Sequence, residues 1–411
     1  MKKNTIINIL LTLGVIAGTF LVLESFIENQ LITKTPLKFQ FSLPAGLSVI
    51  AQSSKAHRIP ENYIAIAGDS YAQGKGDWLL EIDPNSNNPF NSAHVLNQLT
   101  GKDVISFGKS GASNIEGWVQ EPIARFPFIK RNIDHNIREP EIILAYFYAG
   151  NDLLENILQT REEFIPVYGE NKLNNDQAWN DFFINAIKKR EPGPFSSIDS
   201  NTGWFPRAVF KVIKKEFKEK KVGPDLGDIH IRVTGKVNSV WVNNKQVKIP
   251  DALQSPALEL SKSETDLGFM IAKRSLKYLK NHFKNSRIVV VYIPSVIESY
   301  ARVSKKISIS NIFTKIPGKS VEIHSSSELM QRSDEIAGRL KAMSERLGLT
   351  FIDTRPDIRA ASEKQIIHGP IDWKHFNRAG YTALAESIYS GLKKQHILTD
   401  NKKTKPDLKA Q

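Results

Sequence analysis

The chain has 411 residues, room for one large domain or two modest ones with a substantial core, and its 41% hydrophobic and 24% charged content is that of an ordinary globular protein. It contains no cysteine, which excludes disulfides, thiolate metal sites and cysteine nucleophiles but leaves the compartment open. The net charge of +13 is spread along the chain with small clusters at Lys188–Arg190, Lys211–Lys221 and Lys402–Lys405. There is no zinc-finger spacing, aromatic RNA-binding motif or long basic stripe, so no nucleic-acid partner is expected and a solvated basic surface, attracted at most to an anionic membrane or acidic glycan, is favoured.

In chain order, Lys2 and Lys3 precede an apolar run from Ile6 to Leu23 that is about long enough to cross a bilayer as a helix. The run exceeds an ordinary signal-peptide core. Its one small-x-small match, Val15–Ala17, lies inside the apolar stretch, so an uncleaved signal anchor is favoured over a cleaved signal. Residues 1–24 then form a cytoplasmic stub and a single-pass transmembrane helix in the cytoplasmic membrane. By the positive-inside bias, everything beyond about Glu24 lies on the external or periplasmic side. Residues 25–60, with Pro36, Pro44 and Pro60, read as a tether.

Short β-like runs follow at Tyr63–Ala67, Val104–Phe107, Ile142–Phe147, Ile288–Ile293 and Thr350–Ile352. Between or after them lie helical patterns: His94–Leu99, Thr265–Phe283 with an apolar face, Ser326–Leu347 with a serine-rich entry at Glu328 and a stop at Gly348, and Arg378–Lys394. Strands alternating with helices predict an α/β fold with a mostly parallel sheet covered on both faces, in two parts at 61–153 and 265–395. The stretch 154–264 breaks the rhythm: a helical pattern over Asn175–Lys189, a loop from Glu191, then strand-like alternation over Ile229–Ile249 with a turn at Asn243–Asn244. It reads as a mixed insertion suited to capping a site or binding a polymer or partner. A basic tail occupies 396–411.

Four short pieces carry the chemistry. Gly68-Asp69-Ser70, Phe107-Gly108-Lys109-Ser110-Gly111 and Gly150-Asn151-Asp152 each end a predicted strand, and in a parallel sheet all three meet at one edge, where open α/β sheets bind ligands. The fourth, Asp372-Trp373-Lys374-His375, precedes the last helix. Ser70 there is a candidate nucleophile, His375 a base able to take its proton near neutral pH, and Asp372 an acid able to hold the imidazole tautomer and stabilise the imidazolium. Asp69 and Asp152 are expected to shape turns. Trp118, Trp204, Trp241 and Trp373 are candidates for sugar stacking, with packing favoured. The histidines show no metal-ligand spacing, so no metal or cofactor is assigned.

As an ordered set, Ser70, Gly111, Asn151 and His375, with Asp372 three residues before the histidine, resemble the SGNH, or GDSL-type, hydrolase family over roughly Tyr63–Asp152 and Ile288–Lys394. The resemblance implies a three-layer α/β/α sandwich. It also implies a serine esterase working through an acyl-Ser70 intermediate, with the Ser70 and Gly111 backbone N–H groups and the Asn151 amide as oxyanion donors. Phe107 stands where that family often has Asn, which leaves Gly108 as an alternative donor, although the Ser110-Gly111 pair fits better. An external, anchored member points to an O-acetylated envelope polysaccharide as substrate. Acetyl transfer to a polysaccharide, a lipid ester or lysophospholipid substrate, and a non-catalytic polymer-binding or assembly protein with a vestigial site are the alternatives.

Overall fold

The computed structural model describes residues 3–32, 48–49, 51–56, 59–77, 91–132, 135–191, 210, 214, 235–310 and 321–398. Most of the tether, most of the basic cluster at Lys211–Lys221, Trp204, residues 229–234 and nearly all of the basic tail lie outside them.

The N-terminal apolar run forms one helix, α1 (Lys3–Phe26), of 24 residues. Its described side chains, from Leu11 to Phe26, are nearly all exposed, with Leu11 at 63% and Val15 at 67%. Among the described residues no helix is long and apolar enough to cross a membrane, so the expected transmembrane span is not established by the structure.

The α/β domain follows the expected rhythm. In chain order come β1 (Ile64–Ala67), α2 (Ser70–Gln73), α3 (Ser92–Thr100), β2 (Val104–Ser106), α4 (Glu121–Asn132), β3 (Ile142–Tyr148), α5 (Asp152–Gln159), α6 (Ile165–Tyr168) and α7 (Asp176–Arg190). Then come β4 (Ser239–Val242), β5 (Lys245–Lys248), α8 (Lys262–His282), β6 (Arg287–Ile293), β7 (Lys306–Ser310), β8 (Val321–Ser325), α9 (Ser326–Arg346), β9 (Thr350–Asp353), α10 (Arg355–Lys364) and α11 (Arg378–Lys394). The five sequence-expected strands form one sheet in the order β2-β1-β3-β6-β9, every pair parallel, with Ile64 opposite Ile142 and Ile142 opposite Arg287. A parallel sheet covered on both faces needs strands apolar throughout, and all seven residues of β3 are buried.

Alternate side chains feed two cores. Ala65, Ile143, Ala145, Phe147, Val290 and Tyr292 point to one, with Ile123 and Ala124 of α4, Trp179 and Phe183 of α7, Ile271 and Leu276 of α8 and Leu340 of α9. Ile64, Ile66, Leu144, Tyr146, Val289 and Val291 point to the other, with Leu96 of α3, Ile358 of α10 and Tyr381, Leu384 and Ile388 of α11. Helices thus cover both faces of the sheet. Capping boxes open two of them: Ser261 with Glu264 starts α8 and Ser325 with Glu328 starts α9, which ends before Gly348 at φ +66°.

The stretch expected as an insertion is woven into this body. Its expected start, Leu154, falls inside α5, and α7 contributes Trp179, Phe182 and Phe183 to the first core. The β4–β5 hairpin turns at Asn243–Asn244, both with positive φ as a tight two-residue turn requires, and buries Val240 and Val242 in the second core. Trp241 N–H donates to the Ala301 carbonyl at 2.8 Å, so the hairpin lies beside the segment that follows β6.

Candidate active site

Because all five strands run parallel, their C-terminal ends share one edge, and β1, β2 and β3 deliver the first three pieces there. After β1 the chain turns at Gly68, at φ +152°, where an added Cβ would lie 3.0 Å from Tyr146 Cβ and 3.1 Å from its carbonyl oxygen. Asp69 then accepts the Tyr71 N–H at 2.9 Å and caps α2, so Ser70 occupies the first turn of that helix. This is the turn-shaping role expected for Asp69.

Asp372 and His375 reach the same edge from the loop between α10 and α11. His375 Nδ1–H donates to Asp372 Oδ2 at 2.7 Å, and this tautomer leaves Nε2 to accept the Ser70 hydroxyl at 2.8 Å. Asp372 also accepts the Lys374 N–H at 3.1 Å. Burial alone would push the Asp372 carboxyl up. The His375 ring beside and bonded to it, with the Lys374 N–H, outweighs burial and holds it below its ordinary value, so it is ionised when the imidazolium forms. The Ser70–His375–Asp372 line can remove the serine proton, form a nucleophilic alkoxide and return the proton to a leaving group.

The loop after β2 separates the two candidate glycines. Gly108 N–H donates to Ser106 Oγ at 2.9 Å, Lys109 N–H to the Gly68 carbonyl at 3.1 Å, Ser110 N–H to Gln73 Oε1 at 2.9 Å and Ala112 N–H to the Lys109 carbonyl at 3.2 Å. Among the described residues the Gly111 N–H has no acceptor, and Gly111 is exposed at φ +68° with nothing within 4 Å of where a Cβ would stand. Gly108 has the opposite environment: its Cβ would lie 2.3 Å from the Gln73 nitrogen and 2.5 Å from the Ala72 carbonyl carbon. Gly108 therefore lets the loop lie on the backbone of α2, while Gly111 presents a free donor. Ser70 N–H, in the first turn of α2, is likewise unused by the helix.

Asn151 lies just beyond β3, and its side-chain amide favours the ionised form of the nearby Asp69 carboxyl. Asp152 shapes this turn as expected, accepting the Tyr148 N–H at 3.1 Å and the Asn114 amide at 2.8 Å. Burial raises the Asp69 carboxyl, partly offset by the Tyr71 N–H, His375, Ser70 and Asn151. Burial and the Asp69 charge raise Asp152 well above its ordinary value.

Several residues at the site carry no sequence signal. Tyr71 packs its ring 4.2 Å from Tyr148 and 5.5 Å from His375, centroid to centroid, and its hydroxyl donates to the Lys374 carbonyl at 2.9 Å. Asp77 accepts backbone N–H groups from Ile371, at 3.2 Å, and from Asp372. His368 lies behind the loop against Phe376 and bonds Tyr300; burial, with His375 nearby, lowers it to about 3, so it stays neutral. Trp118 and Trp373 are buried, with ring N–H groups donating to the Tyr146 and Pro370 carbonyls, in line with the packing reading, whereas Trp241 is 45% exposed. Among the described residues no group of three or more His, Asp or Glu side chains is arranged to hold a metal ion.

No family model matches the chain, and no curated protein matches it. Among the solved structures that align with it are two carbohydrate esterases. One is a carbohydrate esterase family 2 enzyme with a carbohydrate-binding domain from Corynascus thermopiles (Myceliophthora fergusii), at 10% identity and a TM-score of 0.34, covering 83% of this chain and 68% of that one. The other is an acetyl xylan esterase from the rumen bacterium Butyrivibrio proteoclasticus, at 10% identity and a TM-score of 0.34, covering 83% of this chain and 66% of that one. Both neighbours are carbohydrate esterases. At that similarity they decide neither the reaction nor the substrate of this chain.

Proposed function

We propose that the chain is a serine esterase of the SGNH type, acting through an acyl-Ser70 intermediate on O-acetylated glycan. The observation that carries the reading is the continuous line Asp372–His375–Ser70, at 2.7 and 2.8 Å. His375 takes the Ser70 proton as Oγ attacks the ester carbonyl. The Ser70 and Gly111 N–H groups and the Asn151 amide stabilise the oxyanion, and His375 returns the proton to the leaving alcohol. Water, activated by the same imidazole, then releases the acid. The test is a fluorophosphonate probe together with p-nitrophenyl acetate, butyrate and octanoate. Labelling and turnover lost in Ser70→Ala, with acetate the fastest substrate, supports the reading; a rate rising from acetyl to octanoyl overturns the acetyl assignment.

The exposed apolar surface of α1 supports a second element of the proposal: this helix holds the chain at the cytoplasmic membrane with the α/β domain outside. Full-length protein is then expected to resist carbonate extraction, and a C-terminal tag to be accessible from outside. Release of a soluble form beginning near Gly18 would show instead that the segment is a cleaved signal.

A further inference from the structure

We propose that Asp77 is a positioning residue for the acid–base pair: its carboxylate staples the Asp372–His375 loop to the segment that carries Ser70. The inference rests on the esterase reading of the site.

Asp77 lies three residues beyond Gly74, which closes α2, and only 5% of its surface is exposed. Both its oxygens are occupied by one short stretch on the far side of the sequence. Oδ2 accepts the N–H of Ile371 at 3.2 Å, and Oδ1 accepts the N–H of Asp372 itself. No side-chain cation is paired with it among the described residues. Desolvating a carboxylate without a counterion is costly, and folding tolerates it where the group satisfies donors that would otherwise be orphaned. Here those donors are the amides leading into the acid of the relay. Asp372 is thus held at its backbone by Asp77 and at its side chain by Lys374 and His375.

Two hydroxyls tie the same two segments in parallel. Tyr71 donates to the Lys374 carbonyl at 2.9 Å and Tyr381 to the Lys75 carbonyl at 2.5 Å. Those donors grip carbonyls on either side of the relay, and Asp77 grips the relay acid. Losing the staple frees Asp372 to shift against His375, and a misplacement of about 1 Å at a catalytic group costs on the order of 100-fold in rate.

The experiment uses the full chain and compares wild type, Asp77→Asn, Asp77→Ser and Asp77→Glu, with Ser70→Ala and His375→Ala as controls. Two readouts are taken: kcat and KM on p-nitrophenyl acetate, and the downfield proton resonance of the His375 Nδ1–H bonded to Asp372. The expected result is a kcat lower by about 100-fold in Asp77→Asn with KM within about threefold, the resonance shifted upfield or broadened away, and partial return of both in Asp77→Glu. The resonance separates this proposal from the function it rests on. Wild type that shows the resonance but no Ser70-dependent turnover refutes the esterase reading, while the resonance of the variants still decides the role of Asp77. Variants that fold and keep wild-type kcat and resonance overturn the proposal. So does failure of both neutral variants to fold, which would make Asp77 a residue of the fold alone.

Discussion

Replacing Gly108 by alanine tests the assignment of the two glycines in the loop after β2. The new Cβ would stand 2.3 Å from the Gln73 nitrogen, 2.5 Å from the Ala72 carbonyl carbon and 2.8 Å from Ala72 Cβ. All three atoms belong to α2, the helix that starts at Ser70, and two are backbone, so no side-chain rotation relieves the contact. Restoring van der Waals separation requires the loop and α2 to part by about 1 Å, a distortion that overpacking data put at about 1–3 kcal/mol of stability. The same displacement moves Ser70 against His375 and is expected to lower kcat by about 100-fold. Gly111→Ala meets open space and bears only the strain of φ +68°, about 1–2 kcal/mol, while its N–H stays in place, so kcat is expected within a few-fold of wild type. A backbone ester at position 111 removes that N–H alone and is expected to cost about 100- to 1,000-fold in kcat. The assay is kcat and KM on p-nitrophenyl acetate together with Tm for each variant. Gly108→Ala at wild-type rate and Tm, or a position-111 ester without loss, would refute the division of roles.

Ser70→Ala and His375→Ala are expected to reduce p-nitrophenyl acetate turnover to background, and Asp372→Asn to lower it by about 10,000-fold, because the amide holds the wrong tautomer without removing the base. Ser70→Ala with wild-type turnover would remove the nucleophile assignment. Glu259 supplies a pH test: burial, with the Glu322 charge, raises its carboxyl from 4.5 to about 7. The native state therefore holds a proton that the unfolded chain releases, and stability is lost as pH rises across that window. Glu259→Gln is expected to raise Tm at pH 8 and to leave it nearly unchanged near pH 4.5; an equal effect at both would contradict the assignment. Glu155, raised to about 7 first by burial and then by Asp69, Glu116 and Glu162, predicts the same sign for Glu155→Gln.

The sequence by itself determined the strands, the edge at which they end and the residue types gathered there. Parallel strands buried on both faces must be apolar throughout, and β1, β3 and β6 are written as such runs; Ser70, Asn151 and the loop of Gly108 and Gly111 follow strands directly, so adjacency along the chain becomes adjacency in space. The serine-rich helix entry before Glu328 and the turn at Asn243–Asn244 were equally legible, because caps and tight turns are local chemistry. The boundary at Leu154 was not, because whether a helix stands apart or joins a core depends on what packs against it, and Trp179 and Phe183 find Arg274 and Tyr278 of α8. The sequence favoured Gly111 over Gly108 only through its Ser110-Gly111 pair; the physical ground is tertiary, because a free N–H is defined by which acceptors its neighbours have taken, among them Gly68 and Gln73 from another segment. Asp77 and Tyr71 belong to the same class. Their bonds to Asp372 and Lys374 join segments about three hundred residues apart, and no local pattern encodes a contact whose two halves meet only when the sheet brings both loops to one edge.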